Sequence, residues 1–345
     1  MIGRSDIKDL SLGQLQQWLA RHRMPAYRGG QILRWIYARQ TDLFNEMSDL
    51  SKADRENLTH HFKIGRLKLM QVDESGDGAR KYLFGLDDGN RIESVLIPER
   101  GCYTLCISSQ VGCALGCRFC LTGKGGLVRD LTQGEILSQV RDVQADLGAP
   151  ALLTNIVLMG MGEPLANYTP VTAAINILTD NGLGFRFAGR RITLSTAGLV
   201  PRLASFGRDT RANIAVSLNA TDNRTRDLLM PINKTYPIEV LLTACRAYPL
   251  RPHRRITFEY ILIKDINDSE AQARQLAALL SQVKAKINLI PFNPHPGSEY
   301  ERPSETVIAR FRQVLLDKHY TAIVRRSRGG DISAACGQLR AISDR

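Results

Sequence analysis

The apolar positions of this chain change their period twice. Over residues 5–60 they recur at helical spacing, with Leu15, Trp18 and Leu19 on one face and Ile32, Trp35 and Ile36 on the next. Ser11-Leu12-Gly13-Gln14 matches a capping box, and Ser51-Lys52-Ala53-Asp54 opens a third helix by the same capping logic. Between them, Tyr27-Arg28-Gly29-Gly30-Gln31 reads as a loop whose two glycines turn backbone N–H groups toward a phosphate. Residues 1–62 therefore read as a small helical unit, either RNA-binding or a cap on the main domain.

From about residue 66 the period becomes two. Tyr82, Phe84 and Leu86 alternate, Asp87-Asp88-Gly89-Asn90 turns the chain, and Arg91 to Ile97 returns as a second strand. Residues 63–100 are thus a β-hairpin extension. Glu93 shares a face with Val95 and Ile97, where a carboxylate reads as an edge-strand charge or as a catalytic base.

The second change of period begins at Tyr103–Ser109, an expected strand. Beyond it, strand patterns at Ile156–Met159, Arg191–Ser195, Asn213–Ser217, Thr257–Leu262 and Lys286–Ile290 alternate with helical ones near 132–146, 169–181, 223–229, 236–248, 269–283 and 304–317. Repeated β–α units predict a parallel sheet with helices outside it, here a partial (βα)6 TIM-type barrel over residues 101–345. Chemistry in such folds gathers where the strands end. The segments that follow the strands include Gly160-Met161-Gly162-Glu163-Pro164, Ser195-Thr196-Ala197-Gly198, Ser217-Leu218-Asn219-Ala220 and Pro291-Phe292-Asn293-Pro294. They are rich in small and hydrogen-bonding residues, as a cradle for a polar cofactor requires.

With 345 residues, 43% of them hydrophobic, the chain supports one large domain and a smaller one. No apolar run approaches the roughly 18 residues of a membrane span. The segment Met1 to Asp6 opens no signal-peptide core, so the expected compartment is the reducing cytoplasm. Its seven cysteines then read as metal or catalytic thiols, not as a disulfide framework. A net charge of +12 favours a polyanionic partner such as nucleic acid, with Arg251, Arg254, Arg255, Arg325, Arg326 and Arg328 contributing.

The densest chemistry lies in Cys113-Ala114-Leu115-Gly116-Cys117-Arg118-Phe119-Cys120. Three thiols at C-x3-C-x2-C spacing bring soft ligands to one point, suited to zinc or to an iron–sulfur cluster. Two readings fit. In one, Cys102 or Cys106 completes a closed zinc site. In the other, one iron of a [4Fe–4S] cluster is left open for chemistry, as in the S-adenosylmethionine (SAM) enzymes that this spacing, with Phe119 before the last cysteine, resembles.

Residues 103–126, with Met159-Gly-Met-Gly-Glu-Pro-Leu165, Thr193-Leu-Ser-Thr-Ala-Gly198, Met230-Pro-Ile-Asn-Lys234 and Asn288-Leu-Ile-Pro-Phe-Asn-Pro294, resemble the RNA adenine methyltransferases of the radical SAM superfamily, the RlmN/Cfr type. The tail from Val324 to Leu339, which carries Cys336, is the most specific match. This resemblance implies that Cys113, Cys117 and Cys120 hold a [4Fe–4S] cluster. It further implies that Gly162 and Glu163 bind the amino end of SAM, and that Ser195, Ser217, Leu218, Asn219 and Asn293 contact the rest of it. One SAM methylates Cys336; a second is cleaved reductively, and the resulting radical activates that S-methyl group for addition to an adenine carbon. Cys106 removes the ring proton, a Cys106–Cys336 disulfide closes, and the family pattern also assigns Glu93 as a proton acceptor. Many members read Ser-Leu-His where this chain has Ser217-Leu218-Asn219. Asn does not titrate near neutrality, so no catalytic role is expected there.

The implied activity is methylation of adenine C2 in 23S ribosomal RNA and in transfer RNA, by a cytoplasmic monomer drawing electrons from a flavodoxin or ferredoxin. The alternatives are the sister reaction at C8, and a zinc-bound RNA-binding protein without catalysis.

Overall fold

In the computed structural model of the chain, residues 4–295 and 297–341 are described. Strand β1 (Ser5–Asp6) precedes three helices, α1 (Leu12–Arg21), α2 (Arg28–Tyr37) and α3 (Lys52–His61), and pairs with β2 (Phe62–Lys63). Ser11 forms the expected capping box, its backbone N–H donating to Gln14 Oε1 at 2.8 Å, and Ser51 accepts from the Asp54 N–H at 3.1 Å. The expected glycine loop is instead the first turn of α2. A Cβ on Gly29 would meet Gln16 and Leu12 side-chain carbons at 3.2 Å, so this glycine serves the close approach of α1 and α2.

The extension comprises β3 (Lys68–Glu74), β4 (Arg80–Gly85) and β5 (Arg91–Glu99), followed by β6 (Cys102–Cys106). A short ribbon of β7 (Gln110–Gly112) and β8 (Leu127–Asp130) flanks helix α4 (Leu121–Lys124). Then come α5 (Gln133–Leu147), β9 (Leu153–Leu158), α6 (Tyr168–Thr179), β10 (Ile192–Thr196), α7 (Val200–Asp209) and β11 (Asn213–Ser217). Next in the chain are α8 (Asn223–Leu229), α9 (Ile238–Arg246), β12 (Ile256–Leu262) and α10 (Glu270–Leu279). The last elements are β13 (Ala285–Pro291), α11 (Glu305–Asp317) and β14 (Ala322–Val324).

One ten-stranded sheet runs β14-β13-β12-β11-β10-β9-β6-β5-β4-β3. From β6 to β14 all neighbours are parallel, with helices between them; from β6 to β3 they are antiparallel. The expected βα alternation is therefore present, and the sheet stays open at β3 and β14. The hairpin extension is continuous with the catalytic sheet, since β5 pairs with β6 from Val95↔Cys106 to Glu99↔Cys102. Consequently β5 is an interior strand, and Glu93 on it is 5% exposed, not an edge charge. Helix α7, which buries Leu203 and Phe206, and the three-residue strand β14 are not among the expected elements. The parallel strands read as near-continuous apolar runs because helices and the opposite wall cover both faces. Among the described residues no helix is long and apolar enough to cross a membrane.

The helical unit is bolted to the barrel by buried polar groups. Arg141 on α5 is wholly buried and donates to the carbonyls of Ile36 (3.3 Å), Gln40 (2.9 Å) and Thr41 (2.6 Å), and to Asp42 Oδ1 (2.6 Å). On the other side Gln133 donates to the Lys8 carbonyl at 2.7 Å. Such groups stabilise only while satisfied, and removing one partner of a buried pair costs several kcal/mol. Arg141→Ala is therefore expected to lose about 3 kcal/mol, read as a lower Tm together with faster proteolysis between α2 and α3.

Candidate active site

The chain leaves β6 at its carboxyl end and enters the cysteine loop through a backbone that only glycine allows. Gly112 has φ +77°, and a Cβ there would lie 2.0 Å from the Gly126 carbonyl oxygen. The Cys113 N–H donates to that same carbonyl at 2.7 Å, closing the loop's base. Phe119, the aromatic before the last cysteine, packs into a second apolar cluster with Met230, Phe292 and Tyr300. That cluster gives the Met230 and Phe292 motifs a packing role against Phe119 of the cysteine loop.

Cys113, Cys117 and Cys120 line one cavity, open at its mouth. Gly162, Glu163, Ser195, Ser217, Glu259 and Cys336 line it too. As the side chains stand, no three His, Cys, Asp or Glu among the described residues are gathered tightly enough to hold a metal ion. The donor set still fits an iron–sulfur cluster. Three thiols lie on one short loop against a common cavity, and the neighbouring walls offer small groups and polar backbone. Burial pushes the Cys113 thiol up to about 11 and Cys117 higher still, so in the metal-free loop both are neutral thiols. A zinc site closed by Cys102 is disfavoured by geometry. Cys102 begins β6, and the loop starts beyond its far end, roughly 13 Å of strand away.

The loop after β9 is built around two glycines. A Cβ on Gly160 would lie 2.8 Å from the Ile107 backbone, and one on Gly162 (φ +103°) 2.6 Å from the Gln110 side chain. Gln110 in turn accepts from the Glu163 N–H at 2.8 Å. The Glu163 carboxylate, 3% exposed, accepts from the Leu165 N–H at 3.0 Å and the Ala197 N–H at 2.8 Å. Its side chain thus ties the loop after β9 to the loop after β10, and burial raises its pKa against those hydrogen bonds.

Ser195 and Ser217 meet across the cavity on a residue that the sequence reading did not single out. Ser195 Oγ donates to Glu259 Oε2 at 2.6 Å and Ser217 Oγ to the same oxygen at 3.3 Å. Glu259 lies on β12 and is 6% exposed. Its signal was available: a lone carboxylate inside the apolar run Ile256 to Leu262 must be paired or functional. Leu218 and Asn219 sit elsewhere than expected. Both are 0% exposed and neither lines the cavity. Asn219, at φ +57°, accepts from the Ile261 N–H at 2.9 Å and holds the chain crossing from β11. Asn293 is also absent from the lining; it donates to the Cys336 carbonyl at 3.2 Å.

Cys106 ends β6, opposite Val95 on β5 and Val157 on β9, and is 7% exposed. Burial first, then the neighbouring Cys336 thiol, push its pKa up to about 12. All seven cysteines are free thiols in this structure, and Cys336 is exposed where it lines the cavity. Cys245 is buried in the core and takes no part. The arginines divide. Arg251, Arg254 and Arg255 precede β12 and so lie at the end of the barrel away from the site, Arg254 bonded to Asn213. Arg325, Arg326 and Arg328 follow β14, on the side of Cys336.

Comparison with known proteins agrees with this arrangement. The radical SAM superfamily matches residues 107–277, and the ribosomal RNA large subunit methyltransferase N-terminal domain matches residues 5–64. A dual-specificity RNA methyltransferase RlmN from Desulfosudis oleivorans is 54% identical over 97% of this chain and 91% of its own. Its namesake from Geobacter sulfurreducens is 52% identical over 97% and 92%. The crystal structure of a radical SAM methyltransferase from Sphaerobacter thermophilus superposes with a TM-score of 0.91 at 43% identity, covering 98% of this chain and 100% of that one. With identity at that level along nearly the whole of both chains, this protein belongs to the RlmN family of radical SAM RNA methyltransferases, enzymes that work with a [4Fe–4S] cluster and SAM.

Proposed function

We propose that the chain methylates C2 of adenine in 23S ribosomal RNA and in transfer RNA, with Cys336 as the carrier of the methyl group. The observation that carries this reading is the cavity itself. Cys336 lines it together with all three cysteines of the loop, and Cys106 is its neighbour at the end of β6. An aromatic C–H at C2 is neither acidic nor nucleophilic, so transfer by simple displacement fails there. A carbon radical on a protein-borne methyl group removes that barrier. The relatives' dual-specificity RNA name supports two RNA substrates and does not favour the C8 alternative. A zinc protein without catalysis does not account for Cys336 in the cavity.

Cys113, Cys117 and Cys120 would hold the cluster, with Gly162, Glu163, Ser195, Ser217 and Glu259 around SAM. When bound, these groups supply the methyl group, the electron and the radical. The chain supplies position and proton handling. The Cys336 thiol loses its proton on accepting the methyl group. That S-methyl group would give one hydrogen atom to the radical derived from SAM, its carbon bonds to C2, and one electron would pass from the adduct to the cluster. Cys106 then accepts the C2 proton, and a Cys106–Cys336 disulfide closes as the carbon–sulfur bond breaks, a proton returning to the carbon to complete the new methyl group. Burial raises the pKa of Cys106, so its thiolate is a strong base, and the thiol must give up its own proton before it accepts the one from C2. In this reading Cys106, not Glu93, stands at the ring proton. The enzyme acts in the cytoplasm as a monomer, and the electron comes from a flavodoxin or ferredoxin docking near the exposed Arg118 of the cysteine loop.

Cys117→Ala is expected to abolish bound iron and its visible absorbance in anaerobically purified protein, whereas Cys102→Ala keeps both; full iron in the first variant would remove the cluster assignment. Cys106→Ala should accumulate RNA joined covalently through Cys336 on denaturing gels, and Cys336→Ala should give neither adduct nor methylated base. Normal turnover by Cys106→Ala sinks both roles. Arg326→Ala should weaken RNA binding and lower the slope of log affinity against log salt by about one, with Arg255→Ala unchanged; equal losses in the two would place the RNA elsewhere.

A further inference from the structure

Among the described residues, the segment that bears Cys336 has no helix or strand after β14, so something else must fix where the thiol sits. Its neighbours form a series of clamps. Upstream, Asp331 accepts from Ser75 Oγ at 2.6 Å and from the Gly76 N–H at 3.1 Å, while Asp77 accepts from the Gly329 N–H at 3.0 Å. At the apex, the Leu121 N–H donates to the Gly337 carbonyl at 2.8 Å and Thr122 Oγ1 to the Leu339 carbonyl at 2.6 Å. Gln338 donates to the Pro294 carbonyl at 2.7 Å.

A further clamp is an ion pair that holds both flanks. Lys81 Nζ donates to the Ile332 carbonyl at 2.7 Å and lies 3.7 Å from Glu93 Oε1. Glu93 Oε2 accepts from the Arg340 N–H at 2.6 Å. Ile332 and Arg340 stand four residues before and four after Cys336. Glu93 Oε2 is thus taken by the strap, while Oε1 faces at ion-pair distance the lysine that grips it, a lysine that also lies 3.4 Å from Asp73 Oδ2. The same strand carries Val95, the register partner of Cys106, two residues further on. The pair on β4 and β5 therefore sets one thiol relative to the other through a single piece of sheet.

We propose that Glu93, with Lys81, is a positioning residue that holds the Cys336 strap in register with Cys106 and the cavity, and that it does not take the substrate's proton. This rests on the carrier role of Cys336 given above. A strap without its clamp frays, because backbone outside helices and strands opens at little cost.

The test uses the holoenzyme and three variants, Glu93→Ala, Glu93→Gln and Lys81→Met. Glutamine keeps an acceptor oxygen for the Arg340 N–H but cannot serve as a base. Hydrogen exchange of the peptide spanning residues 329–341 should quicken about tenfold in Glu93→Ala and Lys81→Met, and stay within about threefold of wild type in Glu93→Gln. The fraction of Cys336 bearing a methyl group, read by peptide mass, should fall in the same two variants and be rescued by glutamine. If Glu93→Ala is not recovered folded, Lys81→Met carries the same expectation with the carboxylate untouched. A proton acceptor gives the opposite pattern. Then Glu93→Ala and Glu93→Gln both methylate Cys336 normally and stall as RNA adducts, with unchanged exchange, and the positioning role is overturned. If wild-type protein carries no methyl group on Cys336, the carrier reading falls, while the exchange comparison still decides whether Glu93 holds the strap.

Discussion

The structure depends most on the two-sided ladder of β6. This strand of five residues pairs antiparallel with β5 on one edge and parallel with β9 on the other. It is the seam at which the hairpin extension and the βα barrel become a single sheet. Because backbone pairing fixes register, the seam places Cys106 opposite Val95 and Val157 with no help from side chains. It also aims the chain into the cysteine loop at the carboxyl end of the strand, where the loops of parallel strands converge.

Around that seam, buried polar groups do what apolar packing cannot. Gln139 on α5 accepts from the Ser108 N–H and donates to the Ser108 carbonyl, both near 2.9 Å, just before the cysteine loop. Glu163 ties two loops, Arg226 reaches the carbonyls of Ala197 and Leu218 from beneath, and Asn267 bridges Asn219 and Ile261. Each group is costly to bury unpaired and directional when paired. The loops are thereby held at one spacing across an open sheet whose apolar core alone would tolerate several.

The two thiols show how this rigidity is divided. Cys106 is built into the sheet and shielded, with a pKa raised by burial to about 12. Cys336 stands on an irregular segment fastened by hydrogen bonds from four separate elements. A sheet thiol gives a fixed reference point. A clamped segment gives a thiol that is placed yet able to travel a short way between partners.

Much of this was legible in the residues themselves. The period changes marked the helical unit, the hairpin and the alternating barrel, and the motifs pointed to the loop thiols, the Gly-Glu-Pro turn and the Cys106–Cys336 pair. These signals are local: capping boxes, spacing of thiols and alternation all act within a few residues. What the sequence left open depends on pairing at long range. Only the sheet order turned β5 into an interior strand and Glu93 from an edge charge into a clamp. Only the strand crossings separated Ser217, which faces the cavity, from Asn219, which is spent on the Ile261 N–H. Glu259 became a partner of two serines because β10, β11 and β12 stand side by side, and the six arginines divided between opposite ends of the barrel for the same topological reason. Hydrophobic spacing says which face of an element is covered, but not which element covers it; that is decided by the closing of the whole sheet.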